Sequence, residues 1–184
     1  MDPAALGPGG PAGEAGWLLL VYRLPREPSR PRVAVWRKLK ALGALYLQDG
    51  AAVLPEDAFT REQLEWLQLR VREAGGEATL WEATPNTVAE RNDLVRIFGA
   101  SRDEAYGEIV EAAGRLWRKA MLGGDGSGLM EDLKKLEREF RAERRRDYFR
   151  SPRRDEAAEA LRTTRQALLD GASPGGRTEA GEVP

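Results

Sequence analysis

The chain has 184 residues, of which 41% are hydrophobic and 32% charged, with a formal net charge of −1. That supplies a core for one ordinary domain with appendages, while the near-neutral total means that any basic partner surface must be local. There is no Cys and no His, which removes thiolate nucleophiles, disulfides, Cys/His zinc sites and histidine acid–base chemistry.

Residues 1–16 carry no Lys or Arg and are rich in Gly, Pro and Ala; they read as a disordered arm. The apolar run Trp17 to Tyr22 is too short for a signal core or a membrane span, so the expectation is a cytoplasmic protein without a membrane partner. WLLLVYRL (17–24) stops at Pro25 and reads as a buried strand. Ser29 then suits a cap and Pro31 a first turn for a helix over 31–42. Val35, Trp36, Leu39 and Leu42 lie on one side of it, and Gly43 ends it. Asp49-Gly50 between two short apolar runs marks a hairpin over 44–55. Thr60 with Gln63 forms a capping box for a helix over 61–74, whose buried stripe is Leu64, Leu67, Val71 and Ala74. Gly75-Gly76 stops that helix, and 77–84 reads as a last strand. The order β-α-β-β-α-β over residues 17–84 is the ferredoxin-like split unit, so the fold class is α+β.

From Pro85 to about residue 170 the pattern is a helical extension. A short helix is expected over 86–98, ending near Gly99. Ser101 with Glu104 would then open a second helix to Met121, with Tyr106, Ile109, Ala113, Leu116 and Ala120 inside. GGDGSG (123–128) reads as a flexible break; it lacks the G-K-[ST] ending of a phosphate loop. A helix over 129–149 carries the seam Leu129, Leu133, Leu136 and Phe140, which calls for a partner helix in the same chain or a second copy. A last helix covers 154–169, and residues 171–184 read as a disordered tail.

The chemistry-bearing stretch is RAERRRDYFRSPRR (141–154). Arg141, Arg144, Arg145, Arg146, Arg150, Arg153 and Arg154 stand against Glu143 and Asp147, seven minus two giving +5. Guanidinium groups match phosphate or an oxyanion by paired hydrogen bonds, so the functional readings are contact with DNA phosphates or an oxyanion pocket. The competing reading is a solvated helix end whose charges pair locally. Arg32 and Arg37 join a second basic group, Arg30 to Lys40. Trp36 within it reads as helix–sheet packing beside Val35 and Leu39, and Trp17, Trp81 and Trp117 read as core. Trp66 and Leu69 lie off the Leu64/Leu67/Val71 stripe and are interface candidates, toward the C-terminal helices or a homodimer partner. No catalytic residue, metal site or cofactor fingerprint stands out, and the expectation is a non-enzyme.

Several short elements in order carry a family resemblance: Trp17-Leu-Leu-Leu with Leu24-Pro25, and Arg32-x-x-x-Trp36-Arg37-x-Leu39-x-x-x-Gly43-Ala44. Asp49-Gly50, Leu54-Pro55, Gly75-Gly76-Glu77-Ala78 and Arg146-Asp147-Tyr148-Phe149 continue it. Across residues 17–169 the chain resembles the N-terminal domain family of the ChrB chromate-resistance proteins. The resemblance implies a chromate-responsive regulatory or accessory role, with chromate as the candidate oxyanion. Fuller members carry a second, C-terminal ChrB domain that this chain has no room for. The alternative implied is therefore a protein–protein interaction module that complements a separately encoded C-terminal domain. A nuclease on this fold would want a carboxylate near the end of the first strand, where this chain has Tyr22-Arg23-Leu24-Pro25.

Overall fold

The computed structural model describes residues 16–123 and 125–171; the arm over 1–15 and the tail over 172–184 lie outside them. The elements run β1 (Trp17–Arg23), α1 (Ser29–Leu42), β2 (Leu45–Gln48), β3 (Ala51–Pro55), α2 (Ala58–Glu73), β4 (Glu77–Ala83), α3 (Val88–Met121), α4 (Gly126–Arg145) and α5 (Arg153–Gly171). The α+β class and the ferredoxin-like order stand. The four strands lie in the order β2-β3-β1-β4, and each neighbouring pair is antiparallel.

The chain forms two compact units. The first holds the residues up to Gly99 together with Arg145–Phe149, and the second holds Ala100–Arg144 and the residues from Arg150. In the first, alternation along β1 sends Leu18 and Leu20 to one face of the sheet and Trp17 to the other. Leu18 and Leu20, with no exposed surface, share a core with Val35, Leu39 and Leu42 of α1 and Leu64, Leu67 and Val71 of α2. Around Trp17 the rings of Phe98 and Phe149 lie 5.7 Å and 5.9 Å away. Farther along that face Val21 and Trp81 remain exposed. Gly50 takes φ 77° in the Asp49-Gly50 turn, the left-handed conformation a tight hairpin asks for.

Local chemistry moves some helix ends from where the sequence put them. α1 begins at Ser29 with Pro28 in the cap position and no side-chain cap. The cap of α2 is Asp57: its carboxylate accepts from the Thr60 N–H, while Thr60 Oγ1 accepts from the Asp57 N–H. Thr60 is thus the reciprocal partner of the box, and Gln63 has no part in it. Two separate helices were expected between 86 and 121; α3 is one helix of 34 residues. A reciprocal pair between Thr87 and Glu90 opens it, and it runs through Gly99 and Ser101 without a break. An interior glycine costs about 1 kcal/mol against alanine, less than the burial of Phe98 on one side and Tyr106 on the other returns.

In the second unit, α3 from residue 100 onward packs with α4 and α5. Tyr106, Ile109, Ala113 and Leu116 meet Leu129 and Leu133 of α4 and Ala157, Leu161 and Leu168 of α5. The seam of α4 is therefore satisfied within the chain. Thr164 lies buried in this core, its one hydroxyl proton shared between the carbonyls of Ala113 (3.1 Å) and Ala160 (2.8 Å). The break at 123–128 is shorter than expected: α4 starts at Gly126, and the Asp125 carboxylate accepts from the N–H groups of Ser127 and Gly128. At its other end α4 stops at Arg145, four residues earlier than expected.

Candidate anion-binding surfaces

The arginines of 141–154 divide between the two units. In the second, Arg138, Arg141 and Arg144 recur every third residue along α4, are exposed, and make no ion pair among the described residues. Arg150, with φ 51°, lies 3.8 Å from Asp155. Arg153 pairs with Glu156 at 3.1 Å and packs so tightly on Gly107 that a Cβ there would run into its guanidinium. Arg154 is half-buried, its backbone N–H donating to the Ser151 carbonyl. The loop itself is fastened down, because the Ser151 hydroxyl donates to Asp103 of α3. A largely enclosed ion pair of this unit, Arg102 with Glu143, uses an arginine outside the basic stretches. On the surface, Arg165 grips both oxygens of Glu137; that carboxylate holds its pKa above the ordinary arginine value.

In the first unit, Arg145 is exposed and makes no ion pair among the described residues. Arg146 is turned to a structural task, donating to the Lys40 carbonyl at 3.2 Å while Tyr148 donates to the Leu42 carbonyl at 2.7 Å. These are last-turn carbonyls of α1, which have no partner within the helix. A cation there also suits the negative end of the helix dipole.

Helix α1 carries five basic residues, Arg30, Arg32, Arg37, Lys38 and Lys40, and no acidic one. Arg32 folds back on the carbonyls of Pro25 and Arg26. Arg30 and Arg37 are exposed and make no ion pair among the described residues. Trp36, expected as helix–sheet packing, is 46% exposed with the Lys40 ammonium 5.1 Å from its ring centre. It lies about 100° around the helix from Val35, enough to leave the buried stripe. Trp81 and Trp117, expected in the core, are also exposed, whereas Trp17 is buried. Trp66 and Leu69 of α2 are exposed as their positions off the stripe indicate, and the Trp66 ring lies under Arg70 (4.7 Å) and Lys38 (5.8 Å). The flanking cations were legible in the sequence as i,i+4 pairs, Trp36 with Lys40 and Trp66 with Arg70; the contact of Lys38 was not. No group of three or more metal-ligating side chains occurs among the described residues, and none of their helices is long and apolar enough to cross a membrane.

Comparison with known proteins matches residues 32–120 to the family model described as Protein ChrB, N-terminal. Protein ChrB of Cupriavidus metallidurans is 30% identical over 137 residues, which cover 74% of this chain and 41% of that relative. The chain thus spans well under half the length of the curated relative it matches. No solved structure matches. The matched region takes in the basic helix α1 from Arg32 onward and the whole of β2 to β4, and it places this chain in the ChrB N-terminal domain family.

Proposed function

We propose that this chain is a non-enzymatic regulatory or accessory protein of chromate resistance, acting by holding anions, chromate or DNA phosphate, on arginine side chains. One observation carries the reading: Arg138, Arg141 and Arg144 project from α4 with no carboxylate paired to them among the described residues. Guanidinium groups left free in this way present forked donors that suit a tetrahedral oxyanion or a phosphate. With neither imidazole nor thiol in the chain, binding is the chemistry these residues offer. Calorimetric titration with chromate, with sulfate as the comparison anion, tests it. Saturable chromate binding that weakens in Arg141→Ala/Arg144→Ala supports a sensor; equal, non-saturating heats for both anions would remove it.

A second reading is favoured by a groove in the second unit. Trp117, Ala120 and Met121 of α3 line it with Thr163 and Ala167 of α5, and Trp117 and Met121 are exposed there. Such an apolar surface suits a protein partner, for which a separately encoded ChrB C-terminal domain is the candidate. Size-exclusion chromatography of the two proteins mixed, with Trp117→Glu as the variant that breaks the complex, distinguishes this role from the first.

A further inference from the structure

The geometry points to the outward face of α1 as a second anion-holding surface, the one that contacts double-stranded DNA through its phosphates; this rests on the anion-holding reading above. Within 141–154 the structure commits Arg146 to the end of α1, Arg153 to Glu156 and Gly107, and Arg150 to the neighbourhood of Asp155, and leaves Arg141, Arg144 and Arg145 exposed. In α1 only Arg32 is committed in this way, to the carbonyls of Pro25 and Arg26, and no acid stands among the cations.

Three observations converge. The helix has five cations and no carboxylate in 14 residues, on a chain whose net charge is only −1. With Val35, Leu39 and Leu42 turned to the core, the 3.6-residue period places Arg30, Val33, Arg37 and Lys40 along the opposite side, and all four are exposed. Finally, Arg30 stands in the first turn of α1, where the helix dipole disfavours cations, and that turn contains no acid to offset it; Arg32 beside it is turned back on the carbonyls of Pro25 and Arg26. A helix shaped for stability alone would carry Asp or Glu there. Positive charge kept at an unfavourable place, with no ion pair around Arg30 or Arg37 among the described residues, marks a surface that meets an anion from outside. Because Lys40 lies over one face of Trp36, the ring anchors the ammonium group at the surface, so the cation approaches a phosphate with less rotamer freedom to lose.

Phosphate contact of this kind is salt-dependent and independent of sequence. The experiment is fluorescence anisotropy of the full chain with a labelled duplex of mixed sequence over a salt series. Three variants are compared: Arg30→Ala/Arg37→Ala/Lys40→Ala, Arg30→Lys/Arg37→Lys, and Arg138→Ala/Arg141→Ala/Arg144→Ala. The first should weaken binding by roughly tenfold or more and lower the slope of log affinity against log salt by about 3, one released counterion per lost contact. The lysine pair should retain binding, because the point charges remain. The α4 triple should bind within about twofold of wild type. Circular dichroism confirms that each variant is folded. Wild-type binding unaffected by the α1 triple, or abolished by the α4 triple, overturns the assignment while leaving DNA contact intact. No duplex binding by the wild type at low salt defeats the DNA reading itself, and binding to phosphatidylserine vesicles in its place would assign the face to a membrane surface.

Discussion

The phenol of Tyr148 donates a hydrogen bond of 2.7 Å to the carbonyl of Leu42, closing the end of α1 from 106 residues farther along the chain. Tyr148 is 9% exposed, and its ring meets Phe98 edge-on at 6.2 Å. Replacing it by Phe keeps the ring and leaves that carbonyl without its phenol donor. The expected cost is about 1–2 kcal/mol, measured as a lower midpoint in urea unfolding. A midpoint equal to wild type would show that the bond contributes nothing net.

Beside it, Gly43 takes φ 74°, and its N–H donates to the Lys40 carbonyl. A Cβ at this position would lie 2.9 Å from the Arg146 Cβ. Gly43→Ala therefore combines left-handed strain with a crowded contact and should cost about 1–3 kcal/mol. Thermal unfolding measures it, and the loss should shrink in an Arg146→Gly background, where the crowding is gone and the strain is not.

Arg102 and Glu143 keep only 14% and 11% of their side-chain surface. Arg102→Met leaves a largely enclosed carboxylate without its guanidinium and should destabilise by about 3 kcal/mol. Adding Glu143→Leu removes that enclosed carboxylate as well and should recover much of that loss, so the double variant unfolds later than the single one. Chemical denaturation of the four proteins as a mutant cycle gives the coupling directly.

At the start of α4, the N–H and hydroxyl of Ser127 and the N–H of Gly128 donate to Asp125 and hold its carboxyl below the usual aspartate range. A depressed folded-state pKa means stabilisation that is fully present above the ordinary aspartate value of about 4 and is lost as pH falls through the depressed one. Wild type should therefore lose helicity and melting temperature on acidification below that point by more than Asp125→Asn does. Parallel acid titrations followed by circular dichroism check the sign.

Much of the first unit was legible because short-range chemistry dictates it. Asp49-Gly50 encodes a hairpin in two residues, and Pro25 and Gly43 stop elements where they stand. The stripe Leu64, Leu67 and Val71 identifies the inner face of α2 by period alone. The errors lie where two local signals compete. Thr60 can open a box with Gln63 or close one begun by Asp57, and only the path of the chain out of β3 decides which. Gly99 before Ser101 has the form of a stop, yet the helix continues because both of its flanks are buried.

The candidate surfaces divide on the same line. Residue types and spacing established an α+β chain without imidazole or thiol, whose cations gather in two groups, because charge, period and turn chemistry are properties of neighbours in sequence. Which of those cations stay free was settled by folding: Arg146 reaches the Lys40 carbonyl, 106 positions earlier, and Arg153 settles against Gly107, while Arg37 and Arg141 meet no counter-charge among the described residues. An ion pair forms or fails within about 4 Å, a distance fixed by the packing of remote segments that no local pattern encodes.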